Sequence, residues 1–192
     1  MKRMKVSIIS YSVVILLLSL LIGCGDTPTG PRQESGGNLL PNGNFEKNGE
    51  PTLEGWQATS EDSANLTEDA PPNGGKWSLF RETEWLPAPL GLLSEPLTGF
   101  QNNDILRLSG FVRAVGVYGG GYIGLLVGSG SNRSMSKIIT TSEAEWTFLS
   151  FDDTLLVTER DSIWVVLDAL STEIAEDPTG ALFDLISLEK LK

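Results

Sequence analysis

Short apolar runs separated by turn residues fill the chain from residue 38 onward. Within these runs apolar and polar residues alternate loosely or form a continuous apolar stretch, and no window keeps the period of an amphipathic helix. The runs predicted as strands are 105–115, 121–127, 146–151, 155–157, 162–170 and 182–188. Turn signals rich in Asn, Asp and Gly lie between them, at 102–104, 119–121, 128–132, 152–153 and 177–180. Many short strands with such turns predict an all-β sandwich or barrel.

The N-terminal residues have a different pattern. Residues 1–5 carry three positive charges, and residues 6–22 form an uncharged apolar stretch, which is the layout of a secretory signal. The stretch is at the short limit for a membrane-spanning helix, so length alone leaves a transmembrane anchor open. The sequence Leu21-Ile22-Gly23-Cys24 resembles the lipobox of bacterial lipoproteins, in which a small residue precedes the modified cysteine. We therefore expect a signal peptide over residues 1–23 and a lipidated Cys24 at the start of the mature chain.

The segment after the lipobox has the composition of a tether. Residues 24–37 are rich in Gly, Pro, Ser and Thr and contain no large apolar residue, so we expect a flexible link to a domain over residues 38–192. Several acyl chains at Cys24 would hold the protein on a membrane more firmly than one chain can. The residue after the cysteine is Gly25, where some bacteria place Asp to retain a lipoprotein in the inner membrane, and this favours the outer membrane.

Charge and composition exclude several functions. The chain has 14 basic and 25 acidic residues, a net charge of −11, and the charge is −14 without Lys2, Arg3 and Lys5. A surface this negative argues against nucleic acid as a partner. The chain has no histidine and one cysteine, which excludes Ser-His-Asp and Cys-His catalysis and His-ligated zinc. We expect no enzymatic activity.

One glycine motif has a simpler explanation than cofactor binding. Residues 119–124 fit the pattern G-x-G-x-x-G, but a dinucleotide site needs a helix to begin there, and the residues that follow indicate a strand. We interpret the segment as a hairpin between strands 105–115 and 121–127.

Both ends of the domain carry a recognisable signature. The start reads N-L-L-P-N-G-N-F-E at 38–46 followed by Gly55-Trp56, and the end reads F-D-L-I-S-L at 183–188. Matching segments lie in order between them, at 75–79, 96–114 and 145–148. Together they resemble carbohydrate-binding modules of the family 4/9/22 type, which are galactose-binding-domain-like jelly rolls. One departure is Leu106, near which the family usually has an aromatic residue.

The resemblance implies a jelly-roll β-sandwich whose first and last strands lie side by side, with a structural calcium ion near them. It places Glu46 and Asp184 as carboxylate ligands, with the backbone carbonyl of Lys76, and Asn44 as a further candidate, completing the shell. Hard oxygen ligands of this kind suit Ca²⁺. The simpler alternative is that both carboxylates cap strand ends.

The resemblance also implies sugar binding, in which flat aromatic rings stack on pyranose faces. The candidate platforms are Trp85, Tyr118 and Tyr122, which lie at predicted loops. Trp56, Trp146 and Trp164 lie in apolar surroundings and are expected in the core, while Arg81, Arg107, Arg113 and Asp168 could bond sugar hydroxyls. Two functions stay open: a non-catalytic carbohydrate-binding lipoprotein, or a structural or assembly lipoprotein that uses the jelly roll to bind another protein.

Overall fold

The computed structural model describes residues 37–58, 64–83, 91–170 and 178–192, which form twelve strands. The strands are β1 (Glu46–Lys47), β2 (Glu50–Pro51), β3 (Trp56–Ala58), β4 (Ala64–Thr67), β5 (Ser78–Glu82), β6 (Leu92–Ser94), β7 (Ile105–Val115), β8 (Gly121–Ser129), β9 (Asn132–Thr141), β10 (Thr147–Thr154), β11 (Ser162–Ala169) and β12 (Gly180–Lys190). No helix in these ranges is long and apolar enough to cross a membrane. The expected signal peptide, the lipidated Cys24 and Trp85 lie outside the described residues.

Two antiparallel five-stranded sheets pack face to face. The first sheet has the order β10-β7-β12-β5-β4 and the second has the order β3-β6-β11-β8-β9. Strand β7 turns every second side chain inward, including the buried Leu106, Leu108 and Val112, and leaves Arg107 exposed. From the second sheet, β11 contributes Ile163 to the same core. The fold is therefore the all-β jelly-roll sandwich that the strand pattern and the resemblance predict.

The segment before β1 lies against the last strand, as the resemblance implies. The Leu39 amide donates to the Leu188 carbonyl at 2.8 Å, and the Ile186 amide donates to the Gly43 carbonyl at 2.7 Å. The Asn38 side chain accepts from the Leu188 amide at 3.0 Å and donates to the Ile186 carbonyl at 3.2 Å. The N-terminal segment is thus hydrogen-bonded to the C-terminal strand before it reaches the short β1–β2 pair.

The glycine segment 119–124 is not a hairpin. Strand β7 belongs to the first sheet and β8 to the second, so the chain crosses from one sheet to the other here. No helix begins at the motif, since β8 starts at Gly121. A side chain at Gly121 would overlap Ala181 and Phe183 of β12, which shows how closely the crossing chain approaches the opposite sheet. The turn composition alone does not distinguish a crossing from a hairpin.

Two further strand predictions need correction. The predicted turn at 152–153 lies inside β10, where Asp152 pairs with Arg107 of β7 at 2.7 Å, and the apolar residues 155–157 lie beyond the strand. Strand β9 is not predicted by the sequence pattern. It is an edge strand with most of its residues exposed, and Ile139 alone packs against the core, so the strand lacks the repeated apolar positions that would mark it in the sequence.

Candidate functional site

The outer face of the second sheet carries an apolar cluster separate from the main core. The members of this outer-face cluster are Leu93, Leu126, Trp164 and Val166, with Tyr122 packed against them. They come together because β11 is apolar on both faces: Ile163, Val165 and Leu167 point into the sandwich, and the residues between them point out. Across the sheet, Trp164 lies opposite Leu126, and Asp168 lies opposite Tyr122.

Tyr122 and Asp168 form a polar group at one end of this face. The Tyr122 hydroxyl donates to Asp168 Oδ2 at 3.4 Å, and Arg81 Nη2 donates to Asp168 Oδ1 at 3.1 Å. The Gly91 amide also donates to Oδ2 at 3.2 Å. Burial raises the pKa of Tyr122 to about 12, and the Asp168 carboxylate contributes to the rise. The phenol is therefore neutral at physiological pH, with a fixed hydrogen-bond direction.

At the other end of the face Arg133 covers Trp164. The guanidinium carbon lies 4.2 Å from the centroid of the indole ring, and Trp164 is 6% exposed. Next to the cluster, a shallow depression of about 360 Å³ is lined by Tyr122, Met135, Ser136, Lys137 and Ile138. The face thus combines aromatic rings, a carboxylate and a cation on one side of the sheet.

The three predicted sugar platforms do not lie together on one surface of the described residues. Tyr122 lies on this face, while Tyr118 is 45% exposed in the turn between β7 and β8, and Trp85 lies outside the described residues. Trp56 is in the core as expected, packed on Phe45 with ring centroids 5.5 Å apart.

Two of the expected core tryptophans need comment. Trp146 is not a core residue: it lies half-buried just before β10, with Arg113 stacked 5.5 Å from its ring. Trp164 is buried as expected, but on the outer face and not between the sheets. Trp164 and Asp168 are four residues apart in β11, so their side chains lie on the same face of the strand. An acid on the face that carries Trp164 is the sequence signal that could have placed this tryptophan outside the sandwich.

The candidate calcium ligands Glu46 and Asp184 are brought together. Glu46 Oε1 accepts from the backbone amide of Lys76 and from that of Trp77, the latter at 2.6 Å. Side chains at Gly74 and Gly75 would overlap the carboxylates of Asp184 and Glu46 respectively, so the two glycines let the loop approach both acids. The Lys76 contact that the structure shows is made by its amide.

The environment of Asp184 suits a cation. The residue is fully buried, its Oδ1 accepts from the Leu185 amide at 2.7 Å, and its Oδ2 has no hydrogen-bond partner. Burial raises the pKa of Asp184 to about 8, with a contribution from the nearby Glu46 charge and against the lowering effect of the Leu185 hydrogen bond. A buried oxygen without a partner and two close carboxylates fit a hard divalent cation. Within the described ranges no three His, Cys, Asp or Glu side chains cluster, so further ligands would be amide or hydroxyl side chains, main-chain oxygens or water.

The sandwich has the fold of the jelly-roll carbohydrate-binding modules, and the resemblance seen in the sequence is confirmed at the level of the fold. Among solved structures, the chain is similar to the CBM22-1 xylan-binding domain of Paenibacillus barcinonensis Xyn10C, with 17% identity, 84% of this chain and 99% of that chain covered, and a TM-score of 0.56.

Two further modules have the same fold. The family 22 module at the C-terminus of Clostridium thermocellum Xyn10B, studied for the role of conserved cleft residues in ligand binding, has 14% identity, 83% and 96% coverage and a TM-score of 0.53. A xylan-binding domain of family 22 has 13% identity, 82% and 97% coverage and a TM-score of 0.54. No protein-family model and no curated protein matches the sequence.

Proposed function

We propose that this domain binds an oligosaccharide or polysaccharide, without catalysis, on the outer face of its second sheet. The observation that carries the proposal is the grouping of Tyr122, Trp164 and Asp168 on one side of that sheet. Aromatic rings stack on the apolar faces of sugars. Both oxygens of Asp168 already accept two hydrogen bonds each within the domain, so its role in the proposal is to orient the Tyr122 hydroxyl. Tyr122 is the ring platform in this proposal, since the indole of Trp164 is already covered by Arg133.

The fold relatives suggest which sugar to test first. Two of them are xylan-binding domains, so a β-1,4-xylan chain is the first ligand for this face. Stacking of a few sugar units on one ring is modest, and a dissociation constant of roughly 10 µM to 1 mM is expected.

The proposal includes a membrane anchor. A lipid-modified Cys24 would hold the domain on a membrane, by preference the outer membrane, through the flexible segment 24–37. The support is the lipobox-like sequence that ends at Cys24.

A structural calcium ion is the third part of the proposal. Glu46 and Asp184 would hold it, with the main-chain oxygen of Lys76 and water as further ligands. The ion would supply positive charge to two carboxylates that otherwise repel each other. Its role would be to fasten the loop around Gly74 to the last strand, away from the proposed sugar face.

The proposal is tested by titrating the full chain, purified in a detergent without a sugar headgroup, with xylan, β-glucan, mannan and laminarin oligosaccharides. Tryptophan fluorescence and calorimetric heat would report binding. Saturable binding of at least one of these neutral sugars is the expected result. No saturable signal from any of them, with or without calcium, would reject the sugar-binding function and favour a structural or assembly role, which recovery of a stoichiometric protein partner would support.

A further inference from the structure

Arg133 is held in an unusual position for an exposed arginine. It lies near the start of the edge strand β9, opposite Gly128 of β8, and its side chain reaches across the outer face to Trp164. A side chain at Gly128 would overlap the main chain at Asn132 and the Cα atom of Arg133, so this glycine lets β9 approach β8 closely. The guanidinium stacks on the indole and its Nε donates to the Gly130 carbonyl at 2.8 Å. Stacking on tryptophan and a backbone hydrogen bond together fix the plane of the guanidinium.

The two terminal nitrogens of this guanidinium have no carboxylate partner among the described residues. Among the other described arginines, Arg81, Arg107 and Arg113 pair with acids, while the exposed Arg160 has no acidic partner either. Nη1 and Nη2 of Arg133 therefore form an oriented pair of donors that match the two oxygens of a carboxylate. The feature lies in a chain with a net charge of −11, so it is not part of a generally basic surface.

The distance to the polar end of the face sets the size of the ligand. Trp164 lies opposite Leu126, four residues along β8 from Tyr122, or about 13 Å at about 3.3 Å per residue. A sugar chain of several units would span from the Tyr122 ring to the guanidinium. A single carboxylate-bearing sugar at the Arg133 end would pair with the two donors.

We propose that Arg133 is a specificity-determining residue that selects glycans carrying a uronic acid. The inference rests on the proposed function, because it names the substrate class of the same face. The uronate carboxylate accepts from Nη1 and Nη2 while the neutral part of the chain follows the outer-face cluster toward Tyr122. The proposed ligand carries a single uronic acid in a neutral chain. A polymer made only of uronic acids would be repelled by the acidic surface of the rest of the domain.

The test compares two matched ligands on the full chain in a detergent without a sugar headgroup. One is a xylohexaose with a single glucuronic acid branch, and the other is the same molecule with the branch carboxyl reduced to the alcohol. At low ionic strength we expect the acidic form to bind roughly tenfold more tightly, the effect of one bidentate charged pair at an exposed site, and the ratio to fall as salt is added.

Single-residue variants provide the control. Arg133→Gln should reduce the affinity ratio to about one, and Arg133→Lys, which keeps the charge but lacks the planar pair of donors, should give an intermediate ratio. Lys190→Gln removes the same charge from β12 of the first sheet, where Lys190 Nζ pairs with Asp104 Oδ2 at 2.6 Å, so the ratio should stay at the wild-type value. Thermal melting of each variant would verify that it is folded.

The results distinguish a failure of the proposed role of Arg133 from a failure of the proposed sugar site. Equal affinity of the wild type for both ligands would overturn the role of Arg133 and leave the sugar site standing. A wild-type affinity ratio in Arg133→Gln would also overturn it, because another cation would then bind the carboxylate. If neither ligand binds, the sugar site itself is rejected, and the role of Arg133 is rejected with it.

Discussion

Two carboxylates, Glu46 on β1 and Asp184 on β12, the middle strand of the first sheet, lie in surroundings unlike those of an exposed acid. Glu46 is held by two backbone amides, while Asp184 keeps one oxygen without a partner in a fully buried position. Removing a carboxylate from water favours its protonated form unless a positive charge replaces the proton. We therefore expect the stability of the domain to depend on pH and, if the proposed calcium ion binds here, on divalent cations as well.

The pH dependence has a definite sign. Burial raises the pKa of Asp184 to about 8 in the folded chain, against an ordinary value of 3.8, so the folded state keeps the proton over this interval while the unfolded chain releases it. The free energy of unfolding should fall as the pH rises from about 4 to about 8 in EDTA, and added calcium should remove most of this slope by replacing the proton. Denaturant titrations at several pH values, with EDTA and with calcium, would measure both effects.

Conservative variants provide the controls for this experiment. Asp184→Asn should abolish the pH slope and the response to calcium together. Glu50→Gln removes an exposed acid from the neighbouring β2 and should change neither. A wild-type slope that is the same in EDTA and in calcium would mean that Asp184 is a plain structural carboxylate.

At the scale of elements, the sequence predicts strands best where burial demands a pattern. Strand β7 has the bounds that its alternation predicts, and β11 differs from the predicted run by one residue at its end. Strand β9 could not be found, because it is a mostly exposed edge strand in which only Ile139 packs against the core, and one such residue sets no apolar period. The hairpin predicted at 119–124 was wrong, since local turn residues carry no information about which sheet receives the next strand.

The residues of the candidate site were also predicted only in part from the sequence. The family resemblance indicated Glu46, Asp184 and Tyr122, and the structure places the two acids together and Tyr122 on the outer face, but Arg133 was missed. Its proposed role depends on a contact between two strands that are distant in sequence and on the close approach of the main chains at Gly128. No periodicity or motif in the sequence reports such a contact.

Docking of the N-terminal segment on β12 gives a prediction at this scale. A side chain at Gly43 would overlap the Ile186 carbonyl, and the Gly43 carbonyl itself accepts from the Ile186 amide. Gly43→Ala should therefore lower the free energy of unfolding by roughly 2–3 kcal/mol, the usual range for overpacking a close contact. Gly37→Ala adds the same methyl group where nothing lies within 4 Å, and should change it by less than about 0.5 kcal/mol. Equal denaturation midpoints for the two variants would contradict the docking account.

At the scale of the whole molecule, the lipid anchor is predicted independently of the fold and the sugar site of the domain. Cys24→Ala should leave an unprocessed precursor that takes up no fatty-acid analogue, because the thiol is the proposed site of lipid attachment. Thr27→Ala, in the same proposed tether, should be processed and labelled normally. Mass spectrometry of the N-terminus with metabolic labelling would measure both, and acylation of the Cys24→Ala chain would contradict the lipoprotein assignment.

The central claim is that the outer face of the second sheet binds the sugar. Tyr122→Ala removes the proposed platform from that face, whereas Phe148→Ala removes a 40% exposed ring from the outer face of the first sheet, where it packs on Phe111. Calorimetric titration with xylohexaose, or with the neutral oligosaccharide that binds best, is the most direct test. The account predicts at least a tenfold loss of affinity in Tyr122→Ala and unchanged affinity in Phe148→Ala, with both variants folded. Unchanged binding in Tyr122→Ala together with a loss in Phe148→Ala would place the site on the other sheet and contradict it.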